Sequence, residues 1–154
     1  MALIIEDGSI VANADSYVTT AEITAYANKR GFAVPTLEAE LEQLAILAID
    51  YMQSKKYIGD LVEDTQALAF PRKNIDGVEK DEIPSDIKNA QIELAIAAYT
   101  NDLLTAETTA AVTSESTGAT STQYAGNGLS AVFTSARVSR YLGKWLLAMA
   151  VVRI

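Results

Sequence analysis

The sequence predicts a mainly α fold: a small bundle of about four helices with a protruding β-hairpin or small sheet and a C-terminal helix. Three observations carry that expectation. Apolar residues recur at three- and four-residue steps through long segments, prolines and glycines break the chain between them, and a Ser/Thr-rich stretch ends in β-prone runs around two glycines. With 154 residues, 49% of them apolar and 21% charged, the chain is long enough to bury one core and has the composition of a folded protein. It reads as one domain over 1–154.

At the N-terminus, "LIIEDGSIV" sets two β-prone runs around Asp7-Gly8, the dipeptide suited to a tight hairpin turn. A β-arm is expected there. Thr19 followed three residues later by Glu22 has the spacing of a capping box, Ile23 and Tyr26 give an apolar face, and Gly31 supplies a stop. This predicts a short first helix. After Pro35, Thr36 is placed to cap a longer one, in which Leu37, Leu41, Leu44, Ala48, Tyr51 and Met52 line one side while Glu38, Glu40, Glu42, Asp50 and Lys55 face elsewhere.

From Tyr57 to Glu82 the chain holds Gly59, Pro71, Asp76 and Gly77, and is too broken for one element. A long ordered loop is expected. Pro84 and Ser85 open the next helix, running through Ile87, Ala90, Leu94, Ala95, Ala98 and Leu103 to about Thr105, with enough alanine for a neighbour to approach closely. Residues 105–133 read either as a β-hairpin within the domain or as a flexible polar loop.

The last segment, 134–154, predicts a helix that starts amphipathic. Val138, Tyr141, Leu142, Trp145 and Met149 share a face, Arg137, Arg140 and Lys144 cluster on an adjoining arc, and "WLLAMAVV" is apolar all round. It either closes the protein's own core or docks on a partner protein.

Histidine and cysteine are absent, which removes imidazole bases, thiolate nucleophiles, disulfides and the common zinc sites. The acidic clusters at Glu63–Thr65 and Glu79–Glu82 lack the spacing of a calcium loop and read as solvated charge. "AGNG" lacks the Gly-Lys-Ser/Thr end of a phosphate-binding loop, and no nucleophile elbow occurs. No enzyme, metal or cofactor is expected. No apolar run reaches the ~20 residues of a membrane helix and no leader pattern opens the chain, so no membrane partner and a cytoplasmic location are expected.

The net charge of −8 counts against tight binding to a phosphate backbone. Its distribution is uneven: every Asp and Glu lies at or before Glu115, and beyond it come only Arg137, Arg140, Lys144 and Arg153. Lys55-Lys56-Tyr57 and Phe70-Pro71-Arg72-Lys73 set base-stacking rings beside cations, although each ring is as readily a core residue flanked by exposed lysines.

A spaced pattern runs through the first two thirds of the chain. It comprises Asp7-Gly8, Ser16-Tyr17-Val18, Tyr26, Gly31, Ala48 with Asp50-Tyr51, Tyr57 and Gly59, then Gln66-x-Leu68-x-Phe70-Pro71-Arg72, Ile83-Pro84-x-x-Ile87-x-x-Ala90 and Glu93-Leu94-Ala95. It resembles the head-to-tail connector group of tailed bacteriophages, also called adaptor or head-completion proteins. Some members of that group carry the label DnaT-like single-stranded-DNA-binding protein. The resemblance covers about residues 4 to 100. It departs from the group's pattern at Phe70 and near Tyr57, where tryptophan is usual, and leaves the Ser/Thr-rich region without a counterpart.

The resemblance implies a virion structural protein at the head-to-tail interface, assembled in the host cytoplasm. Its partners would be copies of itself in a homo-oligomeric ring, a dodecamer, together with the portal protein above and a tail or stopper protein below. DNA would pass through the ring without specific binding. On that reading Arg137, Arg140, Tyr141, Lys144, Trp145 and Met149 dock on the portal or another partner. Gln66, Phe70, Pro71 and Arg72 fix a loop or contact the next subunit. The alternatives are a single-stranded-DNA-binding replication accessory protein and a tail-completion protein.

Overall fold

The computed structural model describes residues 2–100, 112–115, 122–124 and 135–147. Within them the chain forms helices α1 (Thr20–Arg30), α2 (Glu38–Gln53), α3 (Ser85–Thr100) and α4 (Ala136–Leu142), the last running into a 3₁₀ turn at Gly143–Trp145. Two antiparallel ribbons accompany them: β1 (Asp60–Leu61) with β2 (Arg72–Lys73), and β3 (Val112–Glu115) with β4 (Thr122–Tyr124). The mainly α expectation holds. Of 105–133, only the β3–β4 ribbon falls among the described residues; it pairs Val112 with Tyr124 and Glu115 with Thr122.

Helix α1 begins and ends where local chemistry dictates. Thr19 Oγ1 accepts from the Glu22 amide at 3.2 Å while Glu22 Oε2 accepts from the Thr19 amide at 2.7 Å, satisfying two otherwise orphaned donors. Gly31 at φ 69° closes the other end in the left-handed conformation. Helix α2 starts one residue later than its expected cap: Leu37, not Thr36, is the N-cap, and it offers no side-chain bond.

The N-terminal hairpin does not form. Glu6, 1% exposed, takes the amides of Gly8 (2.9 Å), Ile10 (3.0 Å) and Val11 (2.9 Å), and so consumes donors that a hairpin ladder would need. Gly8 itself is pressed against the loop before α3; a β-carbon there would lie 1.9 Å from the carbonyl oxygen of Asp81. The segment 5–16 is therefore a compact loop held by one isolated bridge between Ile5 and Ser16.

Helices α2 and α3 form the centre of the core, with Ala45 and Ala48 facing inward from one and Ile87, Ala90, Leu94 and Ala95 from the other, all fully buried. Small side chains permit the close approach. Gln91 is the polar tie at this centre. Its Oε1 accepts from the Tyr17 amide at 2.8 Å, and its Nε2 donates to Ser16 Oγ at 2.8 Å and to the Ala45 carbonyl at 3.2 Å. One fully buried amide thus joins the N-terminal loop, α2 and α3, with its polar atoms satisfied as burial demands.

Helix α4 is shorter than the expected 134–154 element. After the 3₁₀ turn, Leu146 leaves the helical path and forms an antiparallel bridge with Tyr57, flanked by bonds from Ile58 N to Trp145 O (2.9 Å) and Leu147 N to Lys56 O (3.0 Å). Pairing with the loop after α2 competes with helix continuation and wins here. Among the described residues no helix is long and apolar enough to cross a membrane.

Candidate nucleic-acid interface

Two places in the fold bring cations and rings together, and their geometry separates structural from accessible chemistry. The first is the loop after α2. Phe70, 1% exposed, meets Tyr57 edge-on at 5.1 Å between centroids and Trp145 at 6.0 Å. Its amide donates to Tyr17 Oη at 3.0 Å, ahead of a cis bond to the fully buried Pro71.

Arg72 closes this loop from inside. Its Nε donates to the Ile58 carbonyl at 2.8 Å, Nη1 to Ala69 at 3.2 Å, and Nη2 to Gly59 at 3.0 Å and Tyr57 at 3.4 Å. Burial lowers its pKa, and the charge of Asp60 opposes that shift. Gln66 fixes the outer turn, accepting from Val62 and Glu63 amides at 3.0 Å each and donating to the carbonyls of Leu68 (2.8 Å) and Pro71 (2.9 Å). Every donor and acceptor here serves the loop itself. Tyr57, 3% exposed, and Phe70 have no face open to a base, so neither cation–ring segment singled out along the chain offers a stacking platform.

The second place joins α1, α3 and α4. Gly31 turns the chain so that Phe32 follows α1 back, its amide bonded to the Ala27 carbonyl at 3.0 Å. Arg137 lays its guanidinium 3.7 Å above the Phe32 ring, with half of the side chain (50%) still exposed. Arg30 does the same over Tyr26 at 3.5 Å. Beneath them Glu93, 5% exposed, accepts from Tyr26 Oη at 2.6 Å and faces Arg137 Nη1 at 3.8 Å, while the Tyr26 and Tyr141 phenol oxygens lie 3.3 Å apart. Burial, then the bond to Glu93, hold the Tyr26 phenol well above its ordinary pKa. It stays a donor, and the buried carboxylate stays anchored.

Around this junction stand Lys29, Lys88, Arg140 and Lys144, the last paired with Asp86. The elements α1, α3 and α4 with its 3₁₀ turn carry six of the 12 Lys and Arg, against three acids, of which Glu93 is buried and Asp86 is paired. Helix α2 carries Glu38, Glu40, Glu42 and Asp50 and no cation. The negative net charge therefore hides a polarised molecule, and what an approaching phosphate meets is the local field.

Of the residues expected to dock a partner, Arg137, Arg140 and Lys144 are exposed and Tyr141 is half-buried on this face. Trp145 is 7% exposed and packed against Phe70, so its ring belongs to the core; Met149 lies outside the described residues. Reading along the chain missed Tyr26, Arg30, Phe32, Lys88, Asn89 and Glu93 as site residues. The run Lys29-Arg30-Gly31-Phe32, with a ring one glycine away from a cation pair, was the available signal. Ser85 and Lys88 also stand at a Ser-x-x-Lys spacing, but no hydrogen bond joins them. Among the described residues no group of carboxylates is placed to hold a metal ion.

The family described as "Putative DnaT-like ssDNA binding protein" matches the chain over residues 1–154. The chain belongs to this DnaT-like family. No curated protein and no solved structure matches it significantly. Membership corrects the expectation of a virion head-to-tail adaptor: the DnaT-like family is described by binding to single-stranded DNA, which was the alternative, and not by a ring, a portal or a tail. The expectation that DNA passes without being held is overturned with it. Its physical basis was the overall charge, and the cations over rings on α1 and α4 show why that average misleads.

Proposed function

We propose that the protein binds single-stranded DNA, as a replication accessory rather than an enzyme, through the face built by α1, α3 and α4. The observation that carries this reading is the exposed Arg137 guanidinium held over Phe32, beside Arg30 over Tyr26. Lysines and arginines neutralise phosphates, while guanidinium planes and ring edges accept unpaired bases regardless of sequence. Family membership supplies the ligand class. Duplex DNA, whose bases are already stacked, satisfies only the phosphate half of this chemistry.

The test is fluorescence anisotropy with a labelled single-stranded oligonucleotide across a salt series. Affinity is expected to fall steeply as salt rises, the matching duplex to bind more weakly, and Arg137→Ala/Arg140→Ala to lose about tenfold or more. Lys55→Ala/Lys56→Ala, on the loop after α2, is expected to bind nearly as the parent does. Lack of binding at low salt, or full affinity in the arginine double variant, overturns the reading.

A further inference from the structure

Between α1 and α3 lies an open cavity of about 390 Å³ whose wall includes Glu22, Tyr26, Lys29, Arg30, Lys88 and Asn89. Its volume is within the roughly 300–1,000 Å³ usual for small-molecule sites. Val18 and Ile92, buried at 1% and 5%, give it an apolar floor.

The polar groups around that floor are unevenly committed. Glu22 Oε2 is engaged by the Thr19 amide in the capping box, which fixes the carboxylate on the wall and leaves its other oxygen free to accept. Arg30 is held over Tyr26, so its outer plane faces away from the ring. Lys29 and Lys88 form no salt bridge among the described residues, and the half-buried Asn89 carboxamide makes no hydrogen bond there. Two ammonium groups, one donor–acceptor amide and one fixed carboxylate thus surround an apolar slot with no intramolecular task for most of them.

Resting on the single-stranded-DNA reading, we infer that this cavity is a nucleotide subsite that takes one unstacked, amino-bearing base, adenine or cytosine, together with its phosphate. Lys29 and Lys88 meet the phosphate, which is a sequence-independent contact. The base lies on the Val18–Ile92 floor and against the Arg30 guanidinium, as unpaired bases stack on arginine planes. Asn89 offers a donor beside an acceptor, the pairing that suits adenine, and Glu22 accepts from an exocyclic amino group, as carboxylates do from cytosine. Thymine presents no amino group to Glu22. The subsite therefore adds a base preference to a face that otherwise binds without regard to sequence.

Two measurements test it on the full chain. In anisotropy, adenine and cytosine homo-oligonucleotides are expected to bind about tenfold more tightly than a thymine one, and Asn89→Leu to level that preference while leaving thymine affinity unchanged. In nuclear magnetic resonance, deoxyadenosine monophosphate is expected to shift the Asn89 side-chain amide signals, and thymidine monophosphate to leave them in place. Equal affinities in the parent protein, or a preference that survives Asn89→Leu, overturn the subsite. If no oligonucleotide binds, the broader reading fails alone, and the mononucleotide shifts still decide the cavity: an unmoved Asn89 amide ends the inference.

Discussion

Arg72 and Arg137 are the same residue in similar company, and the fold gives them opposite employment. Arg72 sits among Tyr57, Phe70 and Trp145, yet all its bonds go to carbonyls of its own loop; Arg137 lies over Phe32 with half its side chain in solvent. Burial of the surrounding rings decides the difference. Where the rings are sealed, a guanidinium is drawn in to satisfy the carbonyls they strand; where one ring edge stays at the surface, the guanidinium covers it and remains available. A cation beside an aromatic in sequence is therefore no guide to binding until the ring's exposure is known.

The largest test of the sealed side is alkaline titration. Burial pushes the phenols of Tyr17, Tyr26 and Tyr57 well above the ordinary value of 10.0, so the unfolded chain releases these protons first. Stability is then full below about pH 10 and falls as pH rises beyond it. These three of the seven tyrosines are expected to ionise only as the fold opens, seen as a cooperative late step in the ultraviolet phenolate band. A smooth, independent titration of all seven would mean that the ring cluster is not sealed.

Arg72→Lys is the next largest. A single ammonium cannot span four carbonyls arranged around a planar fork, and a loss of about 1–3 kcal/mol is expected by urea denaturation. Single-stranded DNA affinity of the folded protein should not change. Loss of affinity without loss of stability would move the binding role to the loop after α2.

Arg137→Ala is expected to have the smallest effect on stability, below about 1 kcal/mol by the same denaturation measurement, because its contact to Glu93 is at 3.8 Å and half solvent-exposed. A cost above that would make Arg137 a structural residue like Arg72 and erase the contrast between them.

Much of this fold was legible where the deciding interactions are local. The Thr19–Glu22 capping box and the Gly31 stop fixed α1 from a handful of residues, and the apolar spacing of Leu41, Leu44, Ala48 and Met52 marked α2. The N-terminal turn misled because Glu6, an ordinary acidic residue in sequence, becomes the buried acceptor around which the chain folds. The binding face was hidden for a related reason. Tyr26, Glu93 and Tyr141 have no shared spacing, and only the packing of α1, α3 and α4 brings them together. The C-terminal periodicity promised a longer helix, since nothing local announces that Leu146 will pair with Tyr57.

That pairing has a consequence for the order of events in folding. Tyr57 and Leu146 lie far apart along the chain, so closing the intervening loop carries an entropic cost that isolated backbone bonds cannot offset before α2 and α3 have met. The tie is thus a late step, made on a surface already assembled. Because it anchors the segment directly after α4, the helix that carries Arg137 and Arg140 takes its final place among the last elements, and the cation face is completed only when the rest of the core is in place.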